Sequence, residues 1–100
     1  MAMAGRSIGR GAEVNGILGI DLEILGEQAS ALGRAGRRVE ATLAALAAGD
    51  ASDHDRLIRA AAEAVWAYFI QREVCGLRRH DEAIAVYGIP REVLVRVGGG

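Results

Sequence analysis

The 100-residue sequence contains no lysine, one cysteine and one proline, and only four of its residues are aromatic. The lone cysteine, Cys75, excludes an internal disulfide and is typical of a reducing compartment. A formal net charge of −1 excludes a strong overall attraction to nucleic acid or to an anionic membrane. No apolar run approaches the ~18 residues of a membrane-spanning helix. We therefore expect a cytoplasmic protein without a membrane or nucleic-acid partner.

The size of the chain limits its core. A chain of 100 residues forms one domain, which buries roughly 60–65% of the surface of its unfolded chain. Since aromatic residues are few, leucine, isoleucine and valine must fill the core, and oligomerisation commonly supplements so small a core. Residues 1–16 contain four glycines and no apolar period. We predict a disordered arm over residues 1–16, a single helical domain over residues 17–97 and a frayed tail over residues 98–100.

Helical periodicity dominates the first half of the chain. Between residues 18 and 46, apolar or small residues recur in alternating steps of four and three, as in a coiled-coil seam. Gly19, Gly26 and Gly33 run beside this seam, although each glycine in a helix costs ~1 kcal/mol relative to alanine. Since glycine lacks a Cβ, the stretch predicts an unusually close helix–helix contact. The predicted interface residues are Leu18, Leu22, Leu25, Gly26, Ala29, Leu32, Gly33, Gly36, Val39, Leu43 and Leu46.

Capping residues predict where the two long helices begin and end. The first helix should begin at Asn15 or Gly16 and end at Ala48, with Gly49 in the C′ position. The second helix should begin at Ser52, an N-cap followed by acidic residues, and should end near residue 76. The short link between them makes the two helices antiparallel neighbours.

Two short helices should follow the hairpin. One is predicted over residues 81–87 with Asp81 as its cap and Gly88 in a left-handed C′ position. The other should begin with Pro90 at its first position and end at about Val97. Both helices are expected to pack near the open end of the hairpin.

The last two predicted helices, joined at Gly88, have the order of a helix–turn–helix motif. Against a DNA-binding role, the second helix is barely two turns long, and phosphate contacts supply most non-specific DNA affinity. The residues that would contact nucleic acid in this alternative are Arg78, Arg79, Arg91 and Arg96.

Arg72 interrupts the apolar course of the second helix. If the seam continues there, its guanidinium faces inward and needs a carboxylate, because a buried unpaired charge is strongly destabilising. With the loop centred on residue 50, residues near 25 lie level with residues near 72. We therefore predict a structural ion pair of Arg72 with Glu27 or Glu23.

Chemistry-bearing residues are few. Asp53 and Asp55 are accounted for by helix capping, and their spacing is not that of a calcium loop. Cys75 and His80 lack the second pair of ligands that a zinc site requires and the third group that orients a nucleophile. We predict no catalytic residue, no metal site and no cofactor.

Two blocks of sequence resemble a known family. They are residues 25–34, LGEQASALGR, and residues 71–78, QREVCGLR, continuing through residues 87–94, YGIPREVL. On these blocks the chain is similar to a family of short bacterial helical proteins described as a domain of unknown function. The resemblance implies a soluble bacterial protein and assigns no catalytic residue.

Together these observations predict an all-α fold, in which a long antiparallel hairpin is followed by two short helices. Two helices of this length present more apolar surface than one partner can cover, so we expect a homodimer assembled as a four-helix bundle. Its centre should lie near Leu25, Ala29, Leu32 and Gly36. The expected function is a non-enzymatic protein–protein interaction or scaffold module, with another protein as the alternative partner. The competing hypothesis is a small DNA-binding regulator acting through residues 81–97.

Overall fold

The computed structural model describes the backbone of residues 8–99 and the side chains of residues 21–99. Its elements are α1 (Ile8–Ala48), a 3₁₀ turn (Ala51–Asp53), α2 (His54–Val74), α3 (Asp81–Tyr87) and α4 (Arg91–Leu94). Residues 8–99 form helices and turns but no strand, which confirms the predicted all-α class. α1 and α2 pack along each other and form the hairpin.

α1 begins earlier than predicted. It starts at Ile8 and not at Asn15 or Gly16, so residues 8–16 of the predicted arm belong to the helix, while residues 1–7 lie outside the described residues. Glycine weakens a helix by ~1 kcal/mol but does not remove a hydrogen bond as proline does. The sequence has no proline before Pro90, so no residue of α1 breaks its hydrogen-bond ladder. The glycines weaken the helix without interrupting it. Its end at Ala48 is as predicted.

Asp50 and Gly49 shape the link between α1 and α2. The Asp50 carboxylate accepts hydrogen bonds from the Ser52 hydroxyl at 2.7 Å and from the Ser52 backbone N–H at 3.1 Å. Asp50 therefore caps the 3₁₀ turn, and the prediction that Ser52 caps α2 is wrong. The hydroxyl bond holds the pKa of Asp50 below its ordinary value of 3.8. A Cβ at Gly49 would collide with the side chain of Leu57, so this glycine permits close packing.

Three valines from three different helices lie at the centre of the core. Val39 of α1, Val65 of α2 and Val93 of α4 are completely buried. Alanines on α2 keep that helix thin and let α1 approach closely. The other members of the buried cluster are Ala61, Ala62, Ala64, Tyr68, Ala83 and Ile89.

Glycines in the left-handed conformation follow α2 and α3. Gly76 has a φ of +92°, and the N–H of the next residue bonds to the carbonyl of Arg72 at 2.8 Å. Gly88 has a φ of +62°, and the N–H of Ile89 bonds to the carbonyl of Ile84 at 3.0 Å. Both are Schellman motifs, in which glycine avoids the penalty of a Cβ. α3 covers the predicted residues 81–87.

The caps of the short helices differ from the prediction by one position. His80 occupies the N-cap of α3, which leaves Asp81 as the first helical residue. Pro90 is the N-cap of α4, and the helix ends at Leu94 and not at Val97. The N–H of Val95 still bonds to the carbonyl of Arg91, four residues earlier. The N–H groups of Arg96, Val97 and Gly99 bond to carbonyls three residues earlier, so the chain continues as a series of turns.

The position of α4 corrects a further prediction. Glu92 lies 3.3 Å from His54, and the Arg96 guanidinium donates to the Asp55 carboxylate at 2.6 Å. His54 and Asp55 begin α2, so α4 packs toward the loop end of the hairpin and not toward its open end. The turn at Gly88 reverses the chain after α3 and directs it back along α2.

Candidate interaction surface

α2 covers only part of α1. The Cys75 thiol, at the C-terminal end of α2, lies 3.8 Å from the backbone carbonyl of Gln28. N-terminal to Gln28, residues 21–27 of α1 are all exposed. We call residues 8–27 the projecting half of α1. With a length of ~30 Å at ~1.5 Å per residue, this half accounts for much of the elongated shape, which measures 69 × 22 × 19 Å.

Apolar side chains surround the open end of the hairpin. Leu22 and Leu25 on the projecting half of α1 are 68% and 58% exposed. The end of α2 and the turn after it add further large apolar side chains at the same level of the hairpin. The open-end surface consists of Leu22, Ile24, Leu25, Ile70, Val74 and Leu77. Several exposed large apolar side chains at one end of a molecule are typical of an interaction site.

The predicted seam divides at this point. Its C-terminal part packs inside the chain, since Gly36 and Val39 are buried and Leu32, Gly33, Leu43 and Leu46 are half-buried. Its N-terminal part is exposed at Leu22, Leu25, Gly26 and Ala29. Leu18 and Gly19 lie outside the described side chains. One heptad pattern therefore serves an intrachain contact in the C-terminal half of α1 and leaves Leu22, Leu25, Gly26 and Ala29 uncovered.

The glycines of α1 have different surroundings. A Cβ at Gly36 would collide with the hydroxyl of Tyr87. A Cβ at Gly26 would meet no atom within 4 Å, and one at Gly33 would meet only the flexible end of Arg37 at 3.4 Å. The close contact predicted from glycine therefore occurs at Gly36, with α3. α2 makes no such contact at Gly26 or Gly33.

Charges on the exposed part of α1 are segregated. Asp21, Glu23 and Glu27 precede Arg34, Arg37 and Arg38. Within residues 21–99, the ion pair made by these six side chains is that of Arg38 with Glu63, at 4.0 Å and highly exposed. The acidic and basic groups of the segment therefore face solvent in the single chain.

The predicted ion pair of Arg72 with Glu27 or Glu23 is replaced by a different set of bonds. The Arg72 guanidinium donates from Nε to Nδ1 of His80 at 3.1 Å and from Nη2 to the carbonyl of Arg79 at 2.8 Å. Cys75 already lies level with Gln28, so Glu23 and Glu27 project beyond the reach of Arg72. The actual register differs from the predicted one by several residues.

His80 ties the segment after α2 to that helix. Its ring stacks on Phe69, with centroids 4.2 Å apart and planes within 3°. Its Nδ1 accepts from Arg72, and its Nε2 lies 2.9 Å from a carboxylate oxygen of Glu73. These bonds fix the turn at Gly76 and therefore the starting point of α3. Sequence reasoning missed this cluster, because Arg72 and His80 are brought together only by the left-handed glycine between them.

The residues of the DNA-binding hypothesis are spread over two ends of the molecule. The Arg79 guanidinium donates to Asp81 at 3.1 Å, and that of Arg96 donates to Asp55. Arg78 and Arg91 are exposed. α4 has four residues, too few for a recognition helix that reaches along the major groove. This geometry does not favour nucleic-acid binding.

A groove of about 460 Å³ lies between α2 and the C-terminal turns, beside Trp66. Three arginines line it, and each is bonded to an aspartate: Arg56 to Asp53, and both Arg59 and Arg96 to Asp55. The Arg96 hydrogen bond is the main reason that the pKa of Asp55 lies below its ordinary value of 3.8. Each of the three arginines of this groove is therefore paired within the chain, with Asp55 shared between two of them.

Among the side chains of residues 21–99, neither the Cys75 thiol nor the aspartates at residues 50–55 have the arrangement of a nucleophile or of a metal site. Cys75 contacts Gln71 and Gln28, while both ring nitrogens of His80 are bonded elsewhere, so no base adjoins the thiol. Across the side chains of residues 21–99, no cluster of three or more histidine, cysteine or acidic residues could hold a metal ion. None of the helices in the described part of the chain combines the length and apolar character needed to cross a membrane.

Comparison with protein families matches residues 8–99 to the "Family of unknown function (DUF6665)". The chain belongs to this family, and the resemblance read from its two sequence blocks is confirmed. Neither a comparison with curated proteins nor one with solved structures found a match.

Proposed function

We propose that this protein is a non-enzymatic, cytoplasmic interaction module that binds a partner helix along the projecting half of α1. The observation that carries the proposal is the continuation of the heptad seam past the end of α2, where Leu22 and Leu25 are exposed. A helix with an apolar stripe is stable in water mainly when another element covers that stripe. No residue of the described chain performs that role for residues 21–27.

The partner that best fits is a second copy, which gives a four-helix bundle of two α1–α2 hairpins. The radius of gyration is 19.8 Å, whereas a compact domain of 100 residues has a radius of ~13 Å. A bundle around the open ends would cover the projecting half of each protomer and make the assembly more compact than one chain. Its centre would lie nearer to Leu25 and Ala29 than to Leu32 and Gly36, because the last two are already packed inside the hairpin.

The molar mass in solution tests this proposal. Light scattering on a size-exclusion column at micromolar concentration should give the mass of a dimer, about twice 10.5 kDa. The double variant L22E/L25E should give a monomer, because a carboxylate at each position would be desolvated in the bundle. V86E is the matched control, since Val86 on α3 is 73% exposed but lies outside the open-end surface. A monomeric wild-type mass, or a dimer unchanged by L22E/L25E, would contradict the proposal.

A further inference from the structure

The groove beside Trp66 follows one stripe of α2. Arg59, Ala62 and Trp66 are separated by steps of three and four residues, so they lie on one face of the helix. Arg59 and Trp66 carry long side chains, whereas Ala62 between them has a single methyl group. The stripe therefore has a depression at Ala62, with a guanidinium on one side and an indole on the other.

The C-terminal turns form the opposite wall of this depression and are held at both of its ends. At one end Arg96 donates to Asp55, which lies one turn before Arg59 on the same face of α2. At the other end a Cβ on Gly98 would lie 3.3 Å from Cδ1 and Nε1 of Trp66. The resulting volume of about 460 Å³ is within the range of small-molecule sites, roughly 300–1,000 Å³.

Guanidiniums outnumber carboxylates on the lining of the groove. Arg56, Arg59 and Arg96 line it together with one acidic residue, Glu63, which lies 4.0 Å from Arg38. The aspartates that pair with the three arginines do not themselves line the groove. Among residues 21–99, each of these contacts uses Nη2 of the arginine, which leaves Nε and Nη1 as donors for a ligand.

We infer that this groove binds a small aromatic carboxylate, whose ring lies against the indole of Trp66 and whose anionic group is held by Arg59 and Arg96. Trp66 is 50% exposed and offers a flat apolar surface to which another ring can pack. Arg59 and Arg96 share one aspartate, so a positive charge remains at this end of the groove. Arginine recognises carboxylates through paired N–H donors.

The spacing of these groups sets the size of the ligand. Arg59 and Trp66 are seven residues apart, which is ~10 Å along the helix axis. A fused two-ring carboxylate spans this distance, with its ring at the indole and its charge at the guanidinium. The inference goes beyond the proposed function and does not depend on it. The groove is formed by one chain and includes none of the open-end surface, so a monomer and a dimer should both bind.

Titration of the full-length protein with β-naphthoate, and with β-naphthamide as the uncharged analogue, tests the site. Trp66 is the only tryptophan, so its indole N–H gives a single signal in a proton–nitrogen correlation spectrum. β-Naphthoate should shift this signal saturably, with a Kd on the order of 1 mM or below for a ligand of this size. The amide should bind about ten-fold more weakly, because it lacks charge-assisted hydrogen bonds to the guanidiniums.

Two substitutions with opposite expected effects separate the charge of the groove from its shape. Arg59→Gln should weaken binding of β-naphthoate about five-fold and leave that of the amide unchanged. Asp53→Asn releases Arg56 and should strengthen binding of β-naphthoate up to about three-fold. Asp53 makes no side-chain capping bond, so this substitution leaves the start of α2 intact. Arg78→Gln is the matched control, since it removes the same charge at an exposed position outside the groove.

The outcomes distinguish this site from the open-end surface. The absence of a saturable shift of the Trp66 signal up to the solubility limit of β-naphthoate would overturn the inference. Equal affinities for the acid and the amide, unchanged by Arg59→Gln, would show that the groove does not recognise the anion and would overturn it as well. Light scattering on the same samples reports the oligomeric state separately. A monomer that binds β-naphthoate as expected would refute the proposed dimer and support the groove.

Discussion

The hydroxyl of Tyr87 occupies the space that a Cβ at Gly36 would need. The Tyr87 ring packs edge-on against Tyr68, with centroids 5.2 Å apart, so that α3 rests on both long helices at this point. Burial, together with the neighbouring Tyr68, raises the pKa of Tyr87 above its ordinary value of 10.0. Gly36 therefore permits α3 to dock on α1.

Gly36→Ala should lower the free energy of unfolding by about 1–3 kcal/mol, the usual effect of overpacking, even though alanine is the better helix former. Tyr87→Phe removes the oxygen that collides and leaves the ring carbon 3.4 Å from the new Cβ. The double variant G36A/Y87F should therefore be more stable than G36A alone. Urea denaturation at one fixed protein concentration measures all three variants. A G36A protein as stable as wild type would show that Tyr87 moves aside freely.

The docking of α4 depends on Val93. Val93→Ala should lower the free energy of unfolding by about 2 kcal/mol, because it removes two methyl groups from a fully buried site shared with Val39 and Val65. Val95→Ala is a matched control in the adjoining turn, where the side chain is 69% exposed, and should change the stability by less than about 0.5 kcal/mol. Thermal or urea unfolding compares the two. Equal effects would mean that α4 is not part of the cooperative core.

The Asp55–Arg96 bond should make the stability depend on acid pH. The guanidinium lowers the pKa of Asp55 in the folded state below 3.8, so the carboxylate contributes stability at higher pH, and this contribution is lost as pH falls through the folded-state pKa. Both D55N and R96Q should therefore flatten the decline of Tm between about pH 4 and pH 2. Circular dichroism melts at several pH values measure this slope. If both variants keep the wild-type slope, the bond does not persist in solution.

The helix ends were predictable where one residue type dictates the backbone. Gly88 before Pro90 defined the end of α3, because a left-handed glycine and a fixed proline φ leave few alternatives. The start of α1 was mispredicted because glycine only weakens a helix. The partner of Arg72 was mispredicted because it depends on the register of the whole hairpin, which the close packing of Gly49 against Leu57 helps to set.

The candidate surface was predictable as a pattern but not as a location. Leu22 and Leu43 occupy equivalent positions of one heptad repeat, yet Leu22 is exposed and Leu43 packs against the core. Periodicity identifies the face of a helix that is covered, and it does not say which element covers it. How far α1 is covered depends on where α2 ends, which is at Val74. In the sequence, only Gly76, the glycine of the Schellman motif, indicated this end.

Gly26→Leu and Gly33→Leu test whether these glycines admit a partner helix. Inside the chain, a Cβ at Gly26 would meet no atom within 4 Å, and Gly26 is exposed, so the substitution should not disturb the hairpin. Leucine also favours a helix over glycine by about 1 kcal/mol. Each variant should keep or gain helix content in circular dichroism but elute with the mass of a monomer in light scattering. Ala85→Leu, at an exposed site on α3, should leave the dimer intact. If both glycine variants remain dimeric with an unchanged or higher Tm, no partner helix approaches α1 closely at these positions.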